Sequence, residues 1–399
     1  MSDDFKETEI GRIPKEWKIK RFDECISTPK PSPKNIPKSQ FKLYGKYPII
    51  DQGAEFISGY TNDYNMIFKY PLPVIIFGDH TRIFKFINFT FAIGADGTKI
   101  LIPKTKNLDG KFLYFQFISF KIQNRGYNRH FRLLRKFLIK VPPLEEQERI
   151  AYVLSKIQNA IGIQDKLIKL LQELKKTMMH KLFTEGIGHT DFKDIEIGRI
   201  PKEWEIKTLK DISTIITGNT PSKANKEYWQ NGKIEFIKPP DLKNEVIKTY
   251  SEMISYSAKS KARIIPKNSV LVSCIGIIGR VGYTNKEIAF NQQINGLILS
   301  DKIAYYLYVF YVLQYEKKQF EILASKTTVP IINKSKFSTI LIPLPPLEEQ
   351  KRMADILSTI DNKISIENKR KESFEKLFKT ALNKLMTGQI RTKNMEMVE

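Results

Sequence analysis

Two segments of the chain share the same long pattern of apolar and polar positions. In the first, seven apolar residues return at steps of three, four or seven between Leu154 and Leu182. Shifting those positions by 203 gives a second series between Leu357 and Leu385, in which six of the seven residues are again apolar. Neither segment contains a proline over about forty residues, and this period is typical of an amphipathic α-helix. The pattern predicts two helices, each roughly 60 Å long.

Each predicted helix begins with the phrase PPLEEQ, at 142–147 and again at 345–350. The prolines end the preceding strand and favour a helix start, and the two glutamates in the first turn suit the helix dipole. A helix with one apolar stripe needs a partner surface, and the nearest candidate is its own duplicate. We therefore predict an antiparallel two-helix coiled coil. Gln164 and Glu367 place polar groups on the stripe, where they either fix the register or face solvent.

A second repeated phrase precedes two mixed regions: EIGRIPKEWKIK at 9–20 and EIGRIPKEWEIK at 196–207. The mixed regions are punctuated by glycines, and short β-branched runs at 72–77 and 269–275 predict strands. The two regions barely resemble each other. The chain is thus predicted to be a tandem duplication, with two mixed α/β domains inside repeated frames. We expect residues 9–20 to pack beside the end of the C-terminal helix, as residues 196–207 close the first half.

Composition limits the class of protein. The chain has 399 residues, of which 41% are apolar, so it is long enough for two to four domains and too apolar for disorder. Its two cysteines, Cys25 and Cys274, are far apart, which excludes a disulfide framework or a cysteine zinc site. The N-terminus is polar and acidic, unlike a signal peptide, and no apolar run reaches the length of a membrane span. We expect a cytoplasmic protein without membrane association.

The positive charge is concentrated in the two mixed regions. The net charge is +23, of which residues 20–143 carry +13 and residues 205–343 carry +9. Clustered positive charge on separate domains is what phosphate binding requires. A lysine-rich solvated surface is the alternative, but the near-neutral remainder of the chain argues against a uniform bias. The distribution favours a nucleic-acid partner.

The first mixed region offers basic and amide side chains suited to phosphates and base edges: His80, Arg82, Lys99, Asn124, Arg125, Asn128, Arg129, Arg132 and Lys136. The basic residues Arg125, Arg129, Arg132 and Lys136 recur at steps of four, three and four. On a helix they form one basic stripe, which either contacts DNA or is a solvated face. Gly126 leaves the start of that helix open. His80 and Arg82 follow a strand end, where Asp79 either orients His80, accepts from a cytosine amino group or belongs to a local turn.

The second mixed region offers a similar set of candidates: Thr220, Ser222, Lys223, Lys238, Lys326, Thr328 and Asn333. The first four lie in segments rich in glycine and proline, and loops held by a scaffold often carry recognition; a structural loop that caps the fold is the alternative. Gln292, Gln293 and Asn295 either pair with adenine edges or form a buried hydrogen-bonded cluster. The four histidines are dispersed and suggest no metal site.

The sequence contains no recognisable catalytic motif. It lacks a phosphate-binding loop of the form G-x-x-x-x-G-K-[ST] and a nucleophile elbow. The segment from Lys238 to Asp241 has two prolines but neither the preceding acid or amide nor the aromatic residue of an amino-methyltransferase motif. Asp241, Glu245 and Lys248 approach a nuclease arrangement, but their spacing is one residue too long. We expect no catalytic activity and no bound metal from this chain alone.

Several phrases, in this order and together with the duplication, resemble the specificity subunit of type I restriction-modification systems over essentially the full chain. The phrases are IGRIPKEW at 10–17 and 197–204, PPLEEQ before each helix, IFGDHTR at 76–82, FAIGADGTKIL at 91–101, TGNTPSKANKEYW at 217–229, FIKPPDL at 236–242 and IGRVGYTNKEIAFNQQING at 278–296. One departure concerns the first half, which lacks the T-x-x-P-x-I-N-K-S-x-F pattern found at 327–337. The end of the first domain is therefore open.

The resemblance implies a non-catalytic protein of the α+β class. Two α/β target recognition domains would be separated by two long antiparallel coiled-coil helices, with an internal pseudo-two-fold from the tandem duplication. Each domain would read one half of a bipartite double-stranded DNA sequence. The helices would dock two modification subunits, which methylate adenine, and restriction subunits would join that core. S-adenosylmethionine, ATP and Mg²⁺ would belong to those partner subunits, and no cofactor to this chain.

The expected divisions of the chain are an N-terminal segment (1–19), a first recognition domain (20–143), a central long helix (144–185), a linker with the second entry phrase (186–206), a second recognition domain (207–344), a C-terminal long helix (345–388) and a tail (389–399). The alternative function is a duplicated coiled-coil scaffold whose globular domains bind proteins. Steep weakening by salt would distinguish DNA binding from such a scaffold, which depends on apolar contacts.

Overall fold

The computed structural model describes residues 4–126, 128–325, 327–393 and 395–397. Its internal contacts divide the chain into two units: unit 1 comprises Met1–Asp165 with Lys369–Glu399, and unit 2 comprises Lys166–Asn368. Each unit therefore contains one mixed domain and part of each long helix. None of the helices in the described ranges has an apolar stretch long enough to cross a bilayer.

The strands of unit 1 are β1 (Phe5–Lys6), β2 (Ile13–Pro14), β3 (Lys18–Arg21), β4 (Ile26–Ser27), β5 (Tyr47–Ile50), β6 (Gly59–Thr61), β7 (Val74–Gly78), β8 (Phe84–Ile87), β9 (Ala92–Ile93), β10 (Thr98–Pro103) and β11 (Leu138–Val141). Its helices are α1 (Phe22–Cys25), α2 (Gly110–Ser119), α3 (Phe131–Leu134) and the first part of α4 (Leu144–Glu185), with 3₁₀ turns at Lys38–Gln40 and Tyr64–Met66.

The strands of unit 2 are β12 (Phe192–Ile195), β13 (Gly198–Pro201), β14 (Glu205–Thr208), β15 (Ser213–Thr217), β16 (Ile234–Ile237), β17 (Glu252–Ile254), β18 (Ile264–Ile265), β19 (Ser269–Ser273), β20 (Val281–Thr284), β21 (Ile288–Phe290), β22 (Ile294–Leu299) and β23 (Leu341–Leu344). Its helices are α5 (Leu209–Ile212), α6 (Tyr306–Tyr315), α7 (Lys317–Leu323), α8 (Lys334–Ser338) and the first part of α9 (Leu347–Met386), with 3₁₀ turns at Lys226–Tyr228, Pro239–Asp241 and Tyr256–Lys261.

The two mixed domains have closely similar sheet topologies despite their different sequences, and their second sheets differ by one edge strand, β18. A four-stranded antiparallel sheet has the order β4-β10-β7-β8 in unit 1 and β15-β22-β19-β20 in unit 2. A second sheet has the order β6-β5-β9 in unit 1 and β17-β16-β21-β18 in unit 2, with a parallel pair, β5–β9 or β16–β21, in each. The β-branched runs at 72–77 and 269–275 supply β7 and β19, which are wholly buried. Helix α2 packs on β7 and β8, and α6 packs on β19 and β20.

The two long helices are confirmed as α4 and α9, which have 42 and 40 residues. Within each unit, the start of one helix packs against the end of the other, so the two segments run antiparallel. In unit 1, Leu154 of α4 shares an apolar cluster with Leu385 of α9. In unit 2, Leu182 of α4 shares a cluster with Leu357 of α9. Glu367 is fully buried on α9 and pairs with Lys363 at 2.6 Å, so it does not face solvent.

The repeated phrases make the same contact in both units. The entry-phrase tryptophan donates its indole N–H to the second glutamate of PPLEEQ: Trp17 Nε1 to Glu146 Oε2 at 3.0 Å, and Trp204 Nε1 to Glu349 Oε2 at 3.2 Å. Both indoles are buried. Trp17 also packs against Leu385 near the end of α9. Each entry phrase is thus held at the start of one long helix and the end of the other.

The glutamine that ends PPLEEQ also repeats its contacts. Gln147 Nε2 donates to Asn107 O and Pro142 O at 3.0 and 2.8 Å, and its Oε1 accepts from Asp109 N at 2.9 Å. In unit 2, Gln350 bonds Ile303 O, Pro345 O and Tyr305 N in the same way. Both glutamines are fully buried. Each therefore satisfies buried backbone groups where the mixed domain meets the helix start, which explains why the phrase is repeated.

A different basic side chain completes this frame in each unit. In unit 1, Arg391 donates from Nε to Glu146 Oε1 at 2.7 Å and from Nη2 to Glu16 Oε2 at 2.9 Å. The hydrogen bond to Glu146 is the main cause of the raised pKa of Arg391. In unit 2, His189 Nε2 lies 3.0 Å from both oxygens of Glu349. The two residues stand in related contexts, GHT and IRT, after each long helix.

Candidate nucleic-acid interface

In the first mixed domain, a turn after β7 carries His80 and Arg82, and Gln52 holds this turn in place. Gln52 Oε1 accepts from His80 N at 3.1 Å, Gln52 O accepts from Thr81 Oγ1 at 2.5 Å, and Gln52 Nε2 donates to Asp96 O at 2.6 Å. Gln52 thus links the turn to the segment that leads to Lys99. Sequence reasoning missed Gln52, since a single glutamine in a glycine-rich loop gives no signal.

Buried Lys85 fixes the loop that carries Gln52. Its Nζ donates to Asp51 O at 2.8 Å and to Glu55 O at 2.5 Å, and lies 3.8 Å from Asp51 Oδ1. Burial lowers the pKa of Lys85, while the nearby carboxylate opposes that change. The sequence pattern of β8 does not predict this role for Lys85, because lysine is rarely buried at an inward-facing position of a strand.

The basic helical stripe predicted from 125 to 136 is wrong. Of the residues that the structure describes in this range, Phe131–Leu134 (α3) are helical, so Arg132 lies on a helix. Arg125 and Arg129 lie before it in a loop, and Lys136 follows in a turn. Gly126 has a φ of +69°, which is incompatible with a right-handed α-helix.

Besides the positive φ of Gly126, the buried side chain of His130 explains why a loop and not a helix precedes α3. This side chain is fully buried, its Nε2 accepts from Arg125 N at 3.2 Å, and its Nδ1 lies 3.0 Å from Asp79 O. Because Nε2 accepts, Nδ1 carries the proton and donates to Asp79. Asp79 Oδ1 in turn accepts from Phe131 N at 2.7 Å. Asp79 therefore anchors the loop and the start of α3, as expected for the local structural role among the alternatives that the sequence left open.

The loop before α3 is close to the turn that carries Arg82. Arg82 has a φ of +63°, and its Nη1 donates to Ile122 O at 3.3 Å. Within the loop, Asn124 Oδ1 accepts from Gly126 N at 3.0 Å, and Asn128 Nδ2 donates to Arg125 O. Both amides therefore shape the loop as well as being candidates for base contact. Arg125, Asn128, Arg132 and Lys136 are exposed.

Lys99 and Arg129 come together in a polar cleft of about 440 Å³. Lys30, Asn35, Asp79 and Asp96 also line this cleft. Lys99 Nζ lies 5.8 Å from the centre of the Phe131 ring. Within the described part of the chain, neither Lys99 nor Arg129 makes an ion pair, so both cations are available to an anionic ligand.

In the second mixed domain, Glu252 gathers two of the candidate lysines. Lys223 Nζ lies 2.6 Å from Glu252 Oε2, and Lys238 Nζ lies 2.7 Å from Glu252 Oε1. Although burial opposes it, these two hydrogen bonds bring the pKa of Glu252 below its ordinary value. The positive charge of this pair of lysines is therefore partly neutralised, in contrast to Lys99 and Arg129.

The loop before β16 brings Thr220 and Ser222 to the same cluster. Lys223 Nζ lies 3.3 Å from the centre of the Trp229 ring, and Trp229 Nε1 donates to Ser222 O at 3.2 Å. Thr220 Oγ1 donates to Gln292 Oε1 at 2.7 Å. Ser222, Lys223 and Lys238 thus lie in one cluster around Glu252 and Trp229, and Thr220 is tied to the exposed Gln292.

The remaining candidates of the second domain differ in their exposure and in their hydrogen-bond partners. Lys326 lies outside the described residues, and Thr328 is exposed. Asn333 Oδ1 accepts from Lys336 N at 2.8 Å and so caps α8. Asn295 is buried, accepts from Thr217 Oγ1 at 2.7 Å and lies 3.3 Å from Cys274 Sγ. Of the two alternatives for Asn295, its contacts are those of a buried hydrogen-bonded cluster.

Two matches to a family model cover most of the chain. The model is described as the type I restriction modification DNA specificity domain, and it matches residues 14–173 and 201–376. The matched ranges follow the duplication seen in the sequence and in the sheet topology.

Similar proteins of known name cover the chain almost from end to end. The chain is 32% identical to the MjaX type I restriction enzyme specificity subunit of Methanocaldococcus jannaschii, over 98% of this chain and 97% of that one. It is 29% identical to the MjaVIII specificity subunit of the same organism, over 98% and 97%. Among solved structures, the type I restriction-modification S subunit from M. genitalium matches with a TM-score of 0.65 and 18% identity, over 96% of this chain and 99% of that one. The last match supports the fold.

Proposed function

The chain belongs to the family of type I restriction-modification DNA specificity subunits, and we propose that each of its mixed domains recognises one half of a bipartite double-stranded DNA sequence. As a specificity subunit, it recognises DNA and is not itself a catalyst. The proposal rests chiefly on one observation: two domains share a sheet topology but present different polar side chains from their loops. Equal scaffolds with different contact groups suit two different half-sites.

In unit 1, we assign the contact surface to the polar cleft and the loops beside it. Lys99 and Arg129 have charges suited to phosphates. His80, Arg82 and Arg125 lie on the neighbouring turn and loop, with Asn124 and Asn128 as amides for base edges. Arg132 and Lys136 extend this positive surface. These assignments make residues 20–143 the first recognition domain.

In unit 2, we assign contact to the cluster around Glu252. Thr220, Ser222, Lys223 and Lys238 supply hydroxyl and ammonium groups, and Lys326 and Thr328 extend the set. Asn333 acts by capping α8. These assignments make residues 207–344 the second recognition domain, with residues 1–19 and 186–206 as entry segments, 144–185 and 345–388 as long helices, and 389–399 as a tail.

The long helices are the proposed docking surface for two modification subunits. Each helix leaves large apolar side chains in water, which is unfavourable unless a partner covers them. These side chains are Ile163, Leu170 and Leu174 on α4, and Ile356, Ile366 and Leu377 on α9. Restriction subunits join this core in the proposed assembly, and S-adenosylmethionine, ATP and Mg²⁺ belong to the partners. The assembly acts on DNA in the cytoplasm.

The test of this function is a genome-wide map of methylated adenine, in cells with and without the gene for this chain. We expect one bipartite motif to lose methylation when the gene is deleted, and to regain it with a plasmid copy. Identical maps in the presence of an expressed partner methyltransferase would contradict the proposal. Such a result would favour the protein-binding scaffold instead.

A further inference from the structure

An acid-free segment of the first recognition domain presents a regular row of lysines. Between Glu24 and Asp51 there is no acidic residue, and lysines stand at every fourth position. The row consists of Lys30, Lys34, Lys38, Lys42 and Lys46, all of which are exposed. Because these lysines are exposed and, of the five, Lys30 lines the cleft of Lys99 and Arg129, the segment adds positive charge outside that cleft.

Leu43 and Tyr44 lie between the last two lysines of the row, Lys42 and Lys46, and form an apolar tip. Their side chains are 86% and 85% exposed, more than any other large apolar side chain of the described residues. An isolated exposed leucine needs no explanation. Two adjacent apolar side chains held in water between two lysines are different, because they form one apolar patch inside a positive surface.

The surrounding strands hold the tip away from the body of the domain. Lys42 and Tyr60 exchange two backbone hydrogen bonds at 3.0 and 2.9 Å, and Lys46 N donates to Asn62 Oδ1 at 2.8 Å. Phe41 is packed so closely over two glycines, Gly59 and Gly94, that a Cβ there would lie within 3 Å of it. Both ends of the turn are thus fixed, and the tip is displayed in a defined position.

We propose that the Leu43–Tyr44 tip inserts between base pairs of the bound DNA, while Lys38, Lys42 and Lys46 contact the phosphates on either side. This inference rests on the proposed function. DNA is the partner that offers negative charge along its edges and apolar base faces between them. Leucine wedges that unstack a base step are a known means of binding in the minor groove, and tyrosine stacks on bases.

The two parts of this surface have different thermodynamic signatures. Each phosphate contact releases counterions, so the loss of one lysine lowers the slope of log affinity against log salt by about one. The tip makes apolar contacts, so its loss lowers the affinity equally at every salt concentration. One series of titrations therefore separates the two roles.

The experiment uses the full chain assembled with its modification subunits. The DNA is a duplex that contains the recognition motif identified by the methylation map. Fluorescence anisotropy over a series of NaCl concentrations gives affinity and slope. We expect Leu43→Ala with Tyr44→Ala to weaken binding about tenfold with an unchanged slope. We expect Lys42→Ala with Lys46→Ala to lower the slope by about two. A 2-aminopurine base is placed at successive positions of the site. Its fluorescence should increase when the native chain binds and stay low when the tip variant binds.

Matched controls come from the second recognition domain. Tyr256→Ala removes a tyrosine that is 69% exposed, and Lys302→Ala removes an exposed lysine; both should leave affinity and slope unchanged. An unchanged affinity of the tip variant, or a changed slope, would overturn the inference. Loss of modification subunits from the tip variant would identify a protein-binding surface and also overturn it. If the native assembly failed to bind the duplex at all, the proposed function would fall, and this inference with it.

Discussion

The two units differ least where the chain repeats itself and most where it presents loops. In both frames, a buried tryptophan binds the second glutamate of PPLEEQ and a buried glutamine binds backbone groups before the helix. The loops are held by unrelated contacts. In unit 1, a buried lysine and a buried histidine bind backbone oxygens, and in unit 2, one glutamate pairs with two lysines. The repeated residues therefore assemble the fold, and the divergent ones distinguish its two halves.

The basic side chain of the frame gives the largest expected difference between the units. Glu146→Ala should destabilise the chain by about 3 kcal/mol, because Arg391, only 21% exposed, loses its main acceptor and retains the more exposed Glu16. Glu349→Ala should cost less, about 1–2 kcal/mol, because a neutral imidazole is tolerated without an acidic partner and a guanidinium is always charged. Thermal unfolding of the full chain, followed by circular dichroism, measures both. Equal losses of stability would show that Arg391 and His189 are equivalent in the two frames.

The matched glutamines should give equal effects. Gln147→Ala and Gln350→Ala each remove three hydrogen bonds to buried backbone groups, and each should cost about 2–3 kcal/mol. The same unfolding experiment applies, with exposed Gln123→Ala as a control that should have no effect. A difference of more than about 1 kcal/mol between the two would break the equivalence of the frames.

One substitution in each contact surface should change the affinity for DNA in opposite directions. Arg129→Ala should weaken DNA binding by about 1–2 kcal/mol and lower the salt slope by about one, because it removes an unpaired cation. Glu252→Gln should strengthen binding and raise the slope, because it releases Lys223 and Lys238 from their shared carboxylate. Anisotropy titrations of the assembled complex test both. Weaker binding by the Glu252 variant would mean that the glutamate positions the lysines and does not compete for them.

The smallest expected effect concerns pH. Burial raises the pKa of Glu316, which follows α6, although a hydrogen bond from Gln319 opposes the shift. A folded pKa above the unfolded one makes the free energy of unfolding highest below the ordinary glutamate pKa, and lowers it as pH rises through the raised value. Helix α2 of unit 1 carries no acidic residue. Glu316→Gln should therefore flatten the pH dependence of the melting temperature, and an unchanged profile would contradict this assignment.

The sequence predicted the parts of the fold that depend on periodicity and repetition. The steps of three and four gave both long helices, and the β-branched runs gave the central strands β7 and β19. Periodicity failed at the basic stripe from Arg125 to Lys136, since the buried His130 and the positive φ of Gly126 impose a loop. It also could not reveal that two unlike domains share a topology, because strand order depends on contacts between distant residues. Gln52 and Lys85 act through backbone groups and leave no pattern in the sequence.

In the proposed function, each recognition domain reads its own half-site independently of the other. The most direct test replaces residues 207–344 with a second copy of residues 20–143 and maps methylated adenine across the genome. Co-purification with the modification subunits first establishes that the chimera assembles. We expect a new motif that contains the first half-site twice and lacks the second. An unchanged motif, or no methylation from an assembled chimera, would contradict independent recognition.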